Sequence, residues 1–514
     1  MSKTIIIIGA GLAGLSAALQ AAENGCNVKL VSFLPSERAQ SVMAEGGINA
    51  ALNTKDENDS PEEHFTDTIK AACGLADPNA VWGMTQAAPE LVHWLLKLGV
   101  KFNMSGYDDV DLRNFGGQKK KRTAFAQSDT GKQIMTAMID AVRRKEASGM
   151  VERFSHHSFL TLRLCGNICC GCVIRDEYSQ ETVELPGDAV IVATGGMHGL
   201  FGNTTGSLSN TGEVTAELFR LGVPLANGEM IQYHPTTVKC GGKRMLISEA
   251  ARGEGGRLFA MKDGKQWYFM EEKYPELGNL MPRDITAREI WKVSHESEVF
   301  LDMTEISEEI ISNKLSGLAD DCMTYLHKDI RKEPVSVLPG IHYFMGGILV
   351  DEQHRTPIQN LCAAGECCAQ YHGANRLGGN SLLGALYGGR VAAKSACEQA
   401  DVVDLSCATQ IDFPPASQIS EIKQLNKVMQ ETMGVVRNEN TLLNGIQTVQ
   451  VLTGNLPLLG MAVLKSALAR KESRGAHWRE DYPKSNDDDY LKTTVARFDG
   501  KQIQISFVPV PERR

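Results

Sequence analysis

The 514-residue sequence predicts an α/β fold with an inserted α+β domain and a mostly helical C-terminal domain. Four consecutive isoleucines at positions 5–8 indicate a strand buried on both faces, because β-branched side chains suit a covered, pleated surface. From Ile231 onward the sequence changes to loops with polar clusters, and this stretch ends near Pro339. Since 514 residues exceed what one hydrophobic core can organise, several domains are expected.

The segment after the isoleucines predicts a dinucleotide site in a Rossmann-like domain. Gly9, Gly11 and Gly14 have the spacing G-x-G-x-x-G between a strand and a helix. The first glycine allows a tight turn, the second lets a pyrophosphate approach the backbone, and the third lets helix and strand pack closely. The next predicted strand, Asn27 to Ser32, ends without the acidic residue that many NAD-binding folds place there.

The periodicity along the chain predicts further elements and four segments. Apolar positions at helical spacing predict helices at 61–73, 78–98, 129–147 and 384–398, and an apolar run predicts a strand at 188–192. We place the dinucleotide domain at residues 1–230 and 340–400, with an inserted cap domain at 231–339. A linker containing Pro414 and Pro415 opens the helical C-terminal domain and tail, which we place at 401–514.

Composition and charge exclude several classes of protein. The formal net charge of -9 gives no reason to expect nucleic-acid binding. No window of eighteen apolar residues occurs, so direct membrane insertion is not expected. Lys3 is followed at once by the predicted strand, with no signal segment ahead of it. We therefore expect a cytoplasmic protein, peripheral at a membrane only through a partner.

The sequence does not predict a metal site. The 13 cysteines are expected to be reduced thiols. The clustered Cys165, Cys169, Cys170 and Cys172 match no zinc or iron–sulfur spacing, and they fall in a predicted hairpin that turns at Gly166-Asn167. Three candidate histidines, His234, His342 and His372, lie in separate loops without an obvious set of carboxylate partners.

The region after Ile231 contains histidines, arginines and a glutamate in glycine-flanked loops, and these are the candidate functional residues. Neither a Ser-His-Asp order nor an H-E-x-x-H motif is present, which argues against hydrolases. Arginine offers a rigid two-pronged donor, so clamps of arginine and histidine suit a substrate that carries two carboxylates.

At these residues the sequence resembles the flavoprotein subunits of the fumarate reductase/succinate dehydrogenase family, to which L-aspartate oxidase is related. The resemblance covers almost the whole chain and rests on motifs in the family's order: the N-terminal glycine motif, Ala44-Glu-Gly-Gly47, Ala193-Thr-Gly-Gly196, His234-Pro-Thr236, Arg252-Gly-Glu-Gly-Gly256, Arg283-Asp284, His372-Gly-Ala-Asn-Arg376 and the segment Ala469 to His477.

The resemblance implies an FAD-dependent oxidoreductase of electron transport that interconverts fumarate and succinate. Fumarate reduction is the expected direction, with the chain as the flavoprotein subunit. His234, Ser248, His342 and Arg376 would bind the two substrate carboxylates, with Phe115 beside them. Arg283 would protonate one alkene carbon while flavin N5 delivers hydride to the other, and Glu249 and Arg252 would relay protons to Arg283. Because arginine normally keeps its proton, this role requires neighbouring cations, exclusion of water and rapid reprotonation.

The resemblance also implies the residues that hold FAD. Matching motif positions give this set: Gly9, Ala10, Gly11, Gly14, Ser32, Ala44, Glu45, Gly46, Gly47, Thr194, Gly195, Glu213, Glu366, Asn380, Ser381 and Leu382. Members of membrane complexes carry a histidine, bonded covalently to the flavin, five residues before the glutamate of Ala-Glu-Gly-Gly. Gln40 occupies that position here, so we expect non-covalent FAD.

Three alternative functions remain at this point. L-aspartate oxidases place a glutamate before the paired glycines of a loop that here reads Arg113-Asn-Phe-Gly-Gly117. Phe115 stands at that position and offers nothing to an ammonium group, which favours fumarate and succinate. The second alternative is a reductase of another unsaturated acid, and the third is a non-catalytic FAD-binding module. No heme or iron–sulfur motif is evident, so an external electron carrier, such as an iron–sulfur subunit, is implied.

Overall fold

The computed structural model describes residues 2–106, 109–399, 413 and 419–514. The expected linker at Pro414 and Pro415, and the predicted boundary at 400–401, lie outside the described residues. Within the described ranges, no helix is long and apolar enough to cross a lipid bilayer.

The α-helices share the chain with short 3-10 turns and one π-helical turn at Cys322–Leu326. Their bounds are Leu12–Glu23, Pro61–Ala71, Pro78–Leu98, Thr130–Ala147, Glu213–Arg220, Glu249–Gly253, Phe269–Lys273, Arg283–Val293, Glu308–Lys314, Ser316–Asp321, Asn380–Gln399, Ile419–Thr432, Glu439–Val449, Asn455–Ala469 and Asp487–Tyr490. The helices predicted at 61–73, 78–98, 129–147 and 384–398 are all present, with ends displaced by at most a few residues.

A five-stranded parallel sheet forms the centre of the dinucleotide domain. Its strands, in spatial order, are Leu361–Ala363, Ala189–Val192, Thr4–Ile8, Asn27–Ser32 and Val151–Ser155. The isoleucines of the third strand are at most 3% exposed, which confirms the prediction of a strand covered on both faces. Two helices, Leu12–Glu23 and Asn380–Gln399, pack against each other beside this sheet.

An antiparallel three-stranded sheet lies next to the central sheet: His157–Cys165, Ile168–Asp176 and Thr182–Pro186. The first two strands form the predicted hairpin around Gly166-Asn167. Cys169, Cys170 and Cys172 are free and buried there, as expected. The expectation of reduced thiols is wrong for Cys165, which is disulfide-bonded. Cys165 ends its strand at the partly exposed tip of the hairpin.

The cap domain contains two antiparallel sheets. One has the strands Ile231–Cys240, Lys243–Leu246 and Leu338–Phe344. The other has the strands Arg257–Lys262, Lys265–Trp267, Val299–Asp302 and Val335–Ser336. The chain enters and leaves the cap through the paired strands Ile231–Cys240 and Leu338–Phe344, which therefore hold the cap against the dinucleotide domain.

The C-terminal domain is helical as far as Tyr490 and then ends in a hairpin, Lys492–Phe498 and Ile503–Pro509. The first of these strands pairs with Leu225–Ala226, which pairs in turn with Gly347–Leu349 and then Cys368–Ala369. This five-stranded sheet was not predicted, because it joins segments more than 250 residues apart. The remaining sheet is small and consists of Ile48–Asn49, Thr123–Ala124 and Leu112–Arg113.

Candidate active site

A single cavity of about 1040 Å3 runs from the glycine motif to the strands that lead into the cap. Most of the site residues expected from the sequence line it. They are Gly9, Ala10, Gly11, Ser32, Ala44, Glu45, Gly46, Gly47, Phe115, Thr194, Gly195, Glu213, His234, Ser248, Glu249, Arg283, His342, Glu366, Arg376, Ser381 and Leu382. Residues that are up to 373 positions apart in the chain, Gly9 and Leu382, therefore meet around one space.

The glycine motif packs as its spacing predicts. Gly9 has a φ of +112°, and a Cβ atom there would lie 2.2 Å from the carbonyl oxygen of Ala193. A Cβ atom on Gly14 would lie 1.8 Å from the carbonyl oxygen of Gly9, so helix and strand touch at this point. Gly14 itself does not line the cavity, because its role is this close packing. Gly11 precedes the helix Leu12–Glu23 and presents the positive end of that helix to the cavity.

Two polar side chains at the central sheet fit a ribose-bearing cofactor. The hydroxyl of Ser32 is buried at the end of its strand and has no hydrogen-bond partner among the described residues. Glu366 accepts a hydrogen bond from the backbone N–H of Phe344 at 3.1 Å and keeps further acceptor capacity on the cavity wall. A long cavity with an exposed helix N-terminus and these donors and acceptors fits an adenine dinucleotide.

The loop with Ala44 to Gly47 forms another wall of the cavity. Arg113 is buried and holds this loop through its carbonyls: the guanidinium donates to Glu45 O at 3.0 Å and to Gly46 O at 2.9 Å. Burial and the nearby Asp321 raise the pKa of Glu45 to about 8, so its side chain is largely protonated at neutral pH. Gln40 begins a 3-10 turn ahead of this loop and also lines the cavity.

Arg283, Glu249 and Arg252 form a buried ion cluster at the cap. Glu249 Oε2 accepts from Nε and Nη2 of Arg283, at 2.9 and 2.6 Å. Its other oxygen accepts from Nη2 of Arg252 at 3.3 Å. Burial alone would raise the pKa of Glu249, but the charges of Arg283 and Arg252 outweigh it and hold the pKa below its usual value. Glu249 is therefore an anion shared by two cations, with Arg252 behind it and outside the cavity lining.

The helix Arg283–Val293 begins at the cavity wall, because its first residue, Arg283, lines the cavity. Pro282 precedes this residue and favours the helix start. Arg283 Nη1 donates to Gln232 Oε1 at 3.2 Å. Gln232 in turn donates to Asn375 Oδ1 and to the carbonyl of Arg376, at 2.9 and 2.8 Å. Because each terminal nitrogen of a guanidinium carries two hydrogens, Arg283 retains donors for a ligand in the cavity.

His234, on the strand Ile231–Cys240, and His342, on the strand Leu338–Phe344, face each other with ring centroids 5.2 Å apart. The Nε2 atom of His234 is buried and has no partner among the described residues, while its Nδ1 lies 3.3 Å from the amide nitrogen of Thr236 and 3.1 Å from its carbonyl oxygen. His342 Nδ1 lies 2.8 Å from the hydroxyl of Thr205. Burial and the charge of Arg283 lower the pKa of both histidines well below the usual value, so both rings are neutral at pH 7.

Arg376 is a buried cation that lacks a carboxylate at ion-pair distance within the described part of the chain. Its guanidinium lies over the ring of Tyr343, 4.4 Å from the centroid, and its Nε has no hydrogen-bond partner. Burial and the charge of Arg283 lower the pKa of Arg376 to about 9. Since a buried, unpaired charge is costly, this side chain is suited to an anionic ligand.

Ser248 and Phe115 complete the walls near these cations. Ser248 caps the helix Glu249–Gly253, and its hydroxyl accepts from the N–H of Ala250 at 3.4 Å. Phe115 is 3% exposed and packs so closely that a Cβ atom on Gly46 would lie 2.9 Å from its ring. Phe115 therefore packs against the loop at Gly46, and its place beside the substrate stays a prediction.

Asn380 differs from expectation. Its side chain does not line the cavity but lies behind it, where Nδ2 donates to Thr68 and Oδ1 accepts from Asn49. His64 Nε2 lies 2.9 Å from the same Oδ1. The predicted contact between Asn380 and the flavin ring is corrected by this geometry: three buried polar groups hold the side chain away from the cavity.

Sequence reasoning missed Gln232, Tyr343 and Thr205, although each contacts an expected site residue. Gln232 lies two positions before His234, the spacing of one strand face, which is a signal that could have found it. Thr205 and Tyr343 carry no such signal, because their contacts depend on the tertiary fold. Among the described residues, no group of three or more histidine, cysteine, aspartate and glutamate side chains is arranged to hold a metal ion.

Comparison with known proteins identifies the family. Residues 4–382 match the model described as "FAD binding domain", and residues 451–513 match "Fumarate reductase flavoprotein C-term". The succinate dehydrogenase flavoprotein subunit of Bacillus subtilis is 38% identical over 100% of this chain and 98% of its own length. The 8-methylmenaquinol:fumarate reductase flavoprotein subunit of Wolinella succinogenes is 32% identical over 100% of this chain and 92% of its own.

Solved structures give the same result. A mutant FrdA chain of E. coli quinol fumarate reductase matches with a TM-score of 0.90 at 27% identity, covering 99% of this chain and 97% of that one. Mycobacterium smegmatis Sdh1 in complex with UQ1 matches with a TM-score of 0.84 at 29% identity, covering 100% and 95%. The chain therefore belongs to the family of succinate dehydrogenase and fumarate reductase flavoprotein subunits, and it is an FAD-dependent oxidoreductase.

Proposed function

We propose that this protein interconverts fumarate and succinate, with FAD held non-covalently in the cavity, and that it reduces fumarate when supplied with a low-potential electron donor. The observation that carries the proposal is the buried guanidinium of Arg376, which faces the cavity without a carboxylate partner in the described structure. A substrate carboxylate would supply the missing counter-ion. Arginine and carboxylate pair through two parallel hydrogen bonds, which also orients the substrate.

The second carboxylate has its own donors. His234 Nε2 is unpartnered and buried, and His342 offers its Nε2 once Nδ1 is bound to Thr205. Ser248 adds a hydroxyl from the adjoining helix cap. With one carboxylate bound by Arg376 and the other by these donors, a linear four-carbon dicarboxylate would have its central double bond polarised, which lowers the barrier to reduction.

Arg283 is the residue that we assign as proton donor. Its guanidinium lines the cavity and is held at a fixed angle by Glu249 and Gln232. When it gives a proton to the substrate carbon, Glu249 Oε2 at 2.6 Å is placed to relay to it a replacement proton that comes from solvent. Arg252, on the far side of Glu249, stabilises the carboxylate between transfers. General acid catalysis of this kind contributes about 10² to 10⁴ in rate.

FAD supplies the hydride-transfer chemistry when it is bound. The chain's part is to hold it through the glycine motif, Ser32, Glu366 and the loop at Glu45. Gln40 lines the cavity at the position where a histidine would be needed for a covalent tether. An amide nitrogen is not a nucleophile under these conditions, which supports non-covalent attachment.

An electron carrier from outside the chain must complete the reaction. The relatives that match over the whole length are named as subunits, which supports a partner such as an iron–sulfur subunit and a peripheral position at a membrane. The L-aspartate oxidase alternative is weaker, because the buried ring of Phe115 gives no acceptor to an ammonium group.

A substrate panel tests the proposal. Purified, FAD-loaded protein is mixed anaerobically with reduced viologen dye and then with fumarate, crotonate or another enoate, while succinate and L-aspartate are tested with an oxidising dye. We expect fumarate to be reduced fastest, and crotonate, which has one carboxylate, to react poorly. Turnover of L-aspartate in preference to succinate and fumarate would contradict the proposal.

A further inference from the structure

We propose that Thr205 is a positioning residue that holds His342 in the tautomer with its hydrogen on Nε2, the nitrogen left free for the substrate. The inference rests on the proposed function, in which His342 binds a substrate carboxylate. Thr205 and His342 both line the cavity, and His342 lies on the strand Leu338–Phe344. The contact therefore joins the loop that contains Thr205 to this strand at the site.

The geometry of Thr205 is fixed on two sides. Its backbone N–H donates to the carbonyl of Ile341 at 3.0 Å, which ties the loop to the strand next to His342. Its hydroxyl oxygen then lies 2.8 Å from His342 Nδ1 and 3.3 Å from the carbonyl of Ile341. The hydroxyl has one hydrogen to donate. We assign it to His342 Nδ1, because that contact is the shorter one and because the carbonyl of Ile341 already accepts from the Thr205 amide.

The direction of this hydrogen bond matters because the ring is neutral. A neutral imidazole has a single N–H, so a hydroxyl that donates to Nδ1 requires the hydrogen to be on Nε2. In the opposite arrangement Nδ1–H would donate to Thr205, and Nε2 would turn a lone pair toward the substrate. A lone pair facing a carboxylate repels it, whereas an N–H donates to it.

His234 provides a contrast within the same site. Its Nδ1 lies 3.1 Å from the carbonyl oxygen, 3.3 Å from the amide nitrogen and 3.4 Å from the hydroxyl of Thr236, so a substitution of Thr236 would leave the backbone contacts in place. The Nδ1 atom of His342 is instead contacted by the hydroxyl of Thr205, so its tautomer can be changed by substituting that side chain.

The test compares Thr205→Val, which replaces the hydroxyl with a methyl group of similar size, with Thr205→Ser, which retains it. Thr205→Ala removes the same hydroxyl without adding volume and guards against a packing defect in the valine variant. Binding of malonate, a non-reacting dicarboxylate, to the FAD-loaded proteins is measured by titration calorimetry at pH 8, with FAD content checked for each variant.

At pH 8 we expect malonate to bind Thr205→Val and Thr205→Ala about tenfold to a hundredfold more weakly than wild type, the value of a hydrogen bond to a charged group. Thr205→Ser should bind like wild type. A merely structural defect would instead persist in Thr205→Ser or lower the FAD content of the variants.

The outcomes separate the two proposals. Equal binding by wild type and Thr205→Val at pH 8, or a serine variant as weak as the valine variant, overturns the role of Thr205. Failure of wild-type protein to bind any dicarboxylate instead overturns the proposed function on which the inference rests.

Discussion

Replacing Arg283 with alanine is the most direct test of the proton donor. The substitution removes the guanidinium from the cavity together with its two hydrogen bonds to Glu249 and the bond to Gln232. It leaves FAD contacts in place, because the glycine motif, Ser32 and Glu366 lie in the dinucleotide domain. We expect a protein that contains FAD and does not reduce fumarate.

The magnitude follows from two losses. Loss of a general acid costs about 10² to 10⁴ in rate, and loss of a cation that orients the substrate adds to it. We therefore expect turnover to fall by at least about 10³-fold, which corresponds to about 4 kcal/mol in activation free energy. Folding is affected as well, since removing one partner of a buried ion pair costs about 3 to 5 kcal/mol. Arg252 remains beside Glu249 at 3.3 Å and reduces this penalty.

A control variant on the same helix separates catalysis from stability. Arg288→Ala is the matched control on the same helix, because Arg288 lies over the ring of Trp478 at 4.0 Å and outside the cavity. It should retain turnover.

The assay follows oxidation of reduced viologen by fumarate under anaerobic conditions, with FAD content measured from the flavin absorbance. If Arg283→Ala keeps more than a tenth of wild-type turnover, Arg283 is not the proton donor.

Two other predictions concern the cofactor loop and are checked on the wild-type protein and one variant. Acid precipitation should release the flavin into the supernatant, because Gln40 offers no covalent tether; yellow colour that stays in the pellet would contradict this. Because burial and Asp321 raise the pKa of Glu45 from 4.5 to about 8, the folded state keeps a proton that the unfolded state releases, and the free energy of unfolding should fall as pH rises between these values. Glu45→Gln removes that titration, so the Tm of the variant should decline less from pH 5 to pH 8 than that of wild type; parallel declines would refute the assignment.

Local signals in the sequence predicted much of the fold. The helix Pro78–Leu98 has its predicted bounds because Asp77 caps its start, Pro78 occupies the first turn, and Gly99 ends it in the left-handed conformation with a φ of +101°. These three signals lie next to the helix in the chain. The glycine motif was predictable for the same reason.

Contacts between distant segments were not predictable from such signals. Asn380 belongs to a motif expected at the flavin, yet its side chain is bound by residues more than 300 positions earlier. The pairing of Leu225–Ala226 with the C-terminal strand Lys492–Phe498 likewise has no local signature. The roles of the site residues came from the resemblance to a family, and their supports, such as Gln232 and Tyr343, became visible only in three dimensions.

The charges of the site explain why a dicarboxylate suits it. Arg252, Arg283 and Arg376 are buried together, and Glu249 is the carboxylate at ion-pair distance from this group. Three cations and one anion leave two positive charges in a region where unbalanced charge is costly. Fumarate and succinate carry two negative charges and restore neutrality, whereas aspartate at neutral pH carries one net negative charge and brings an ammonium group toward the guanidinium groups. Balance of charge therefore favours the unaminated substrates, independently of the shape of the loop at Phe115.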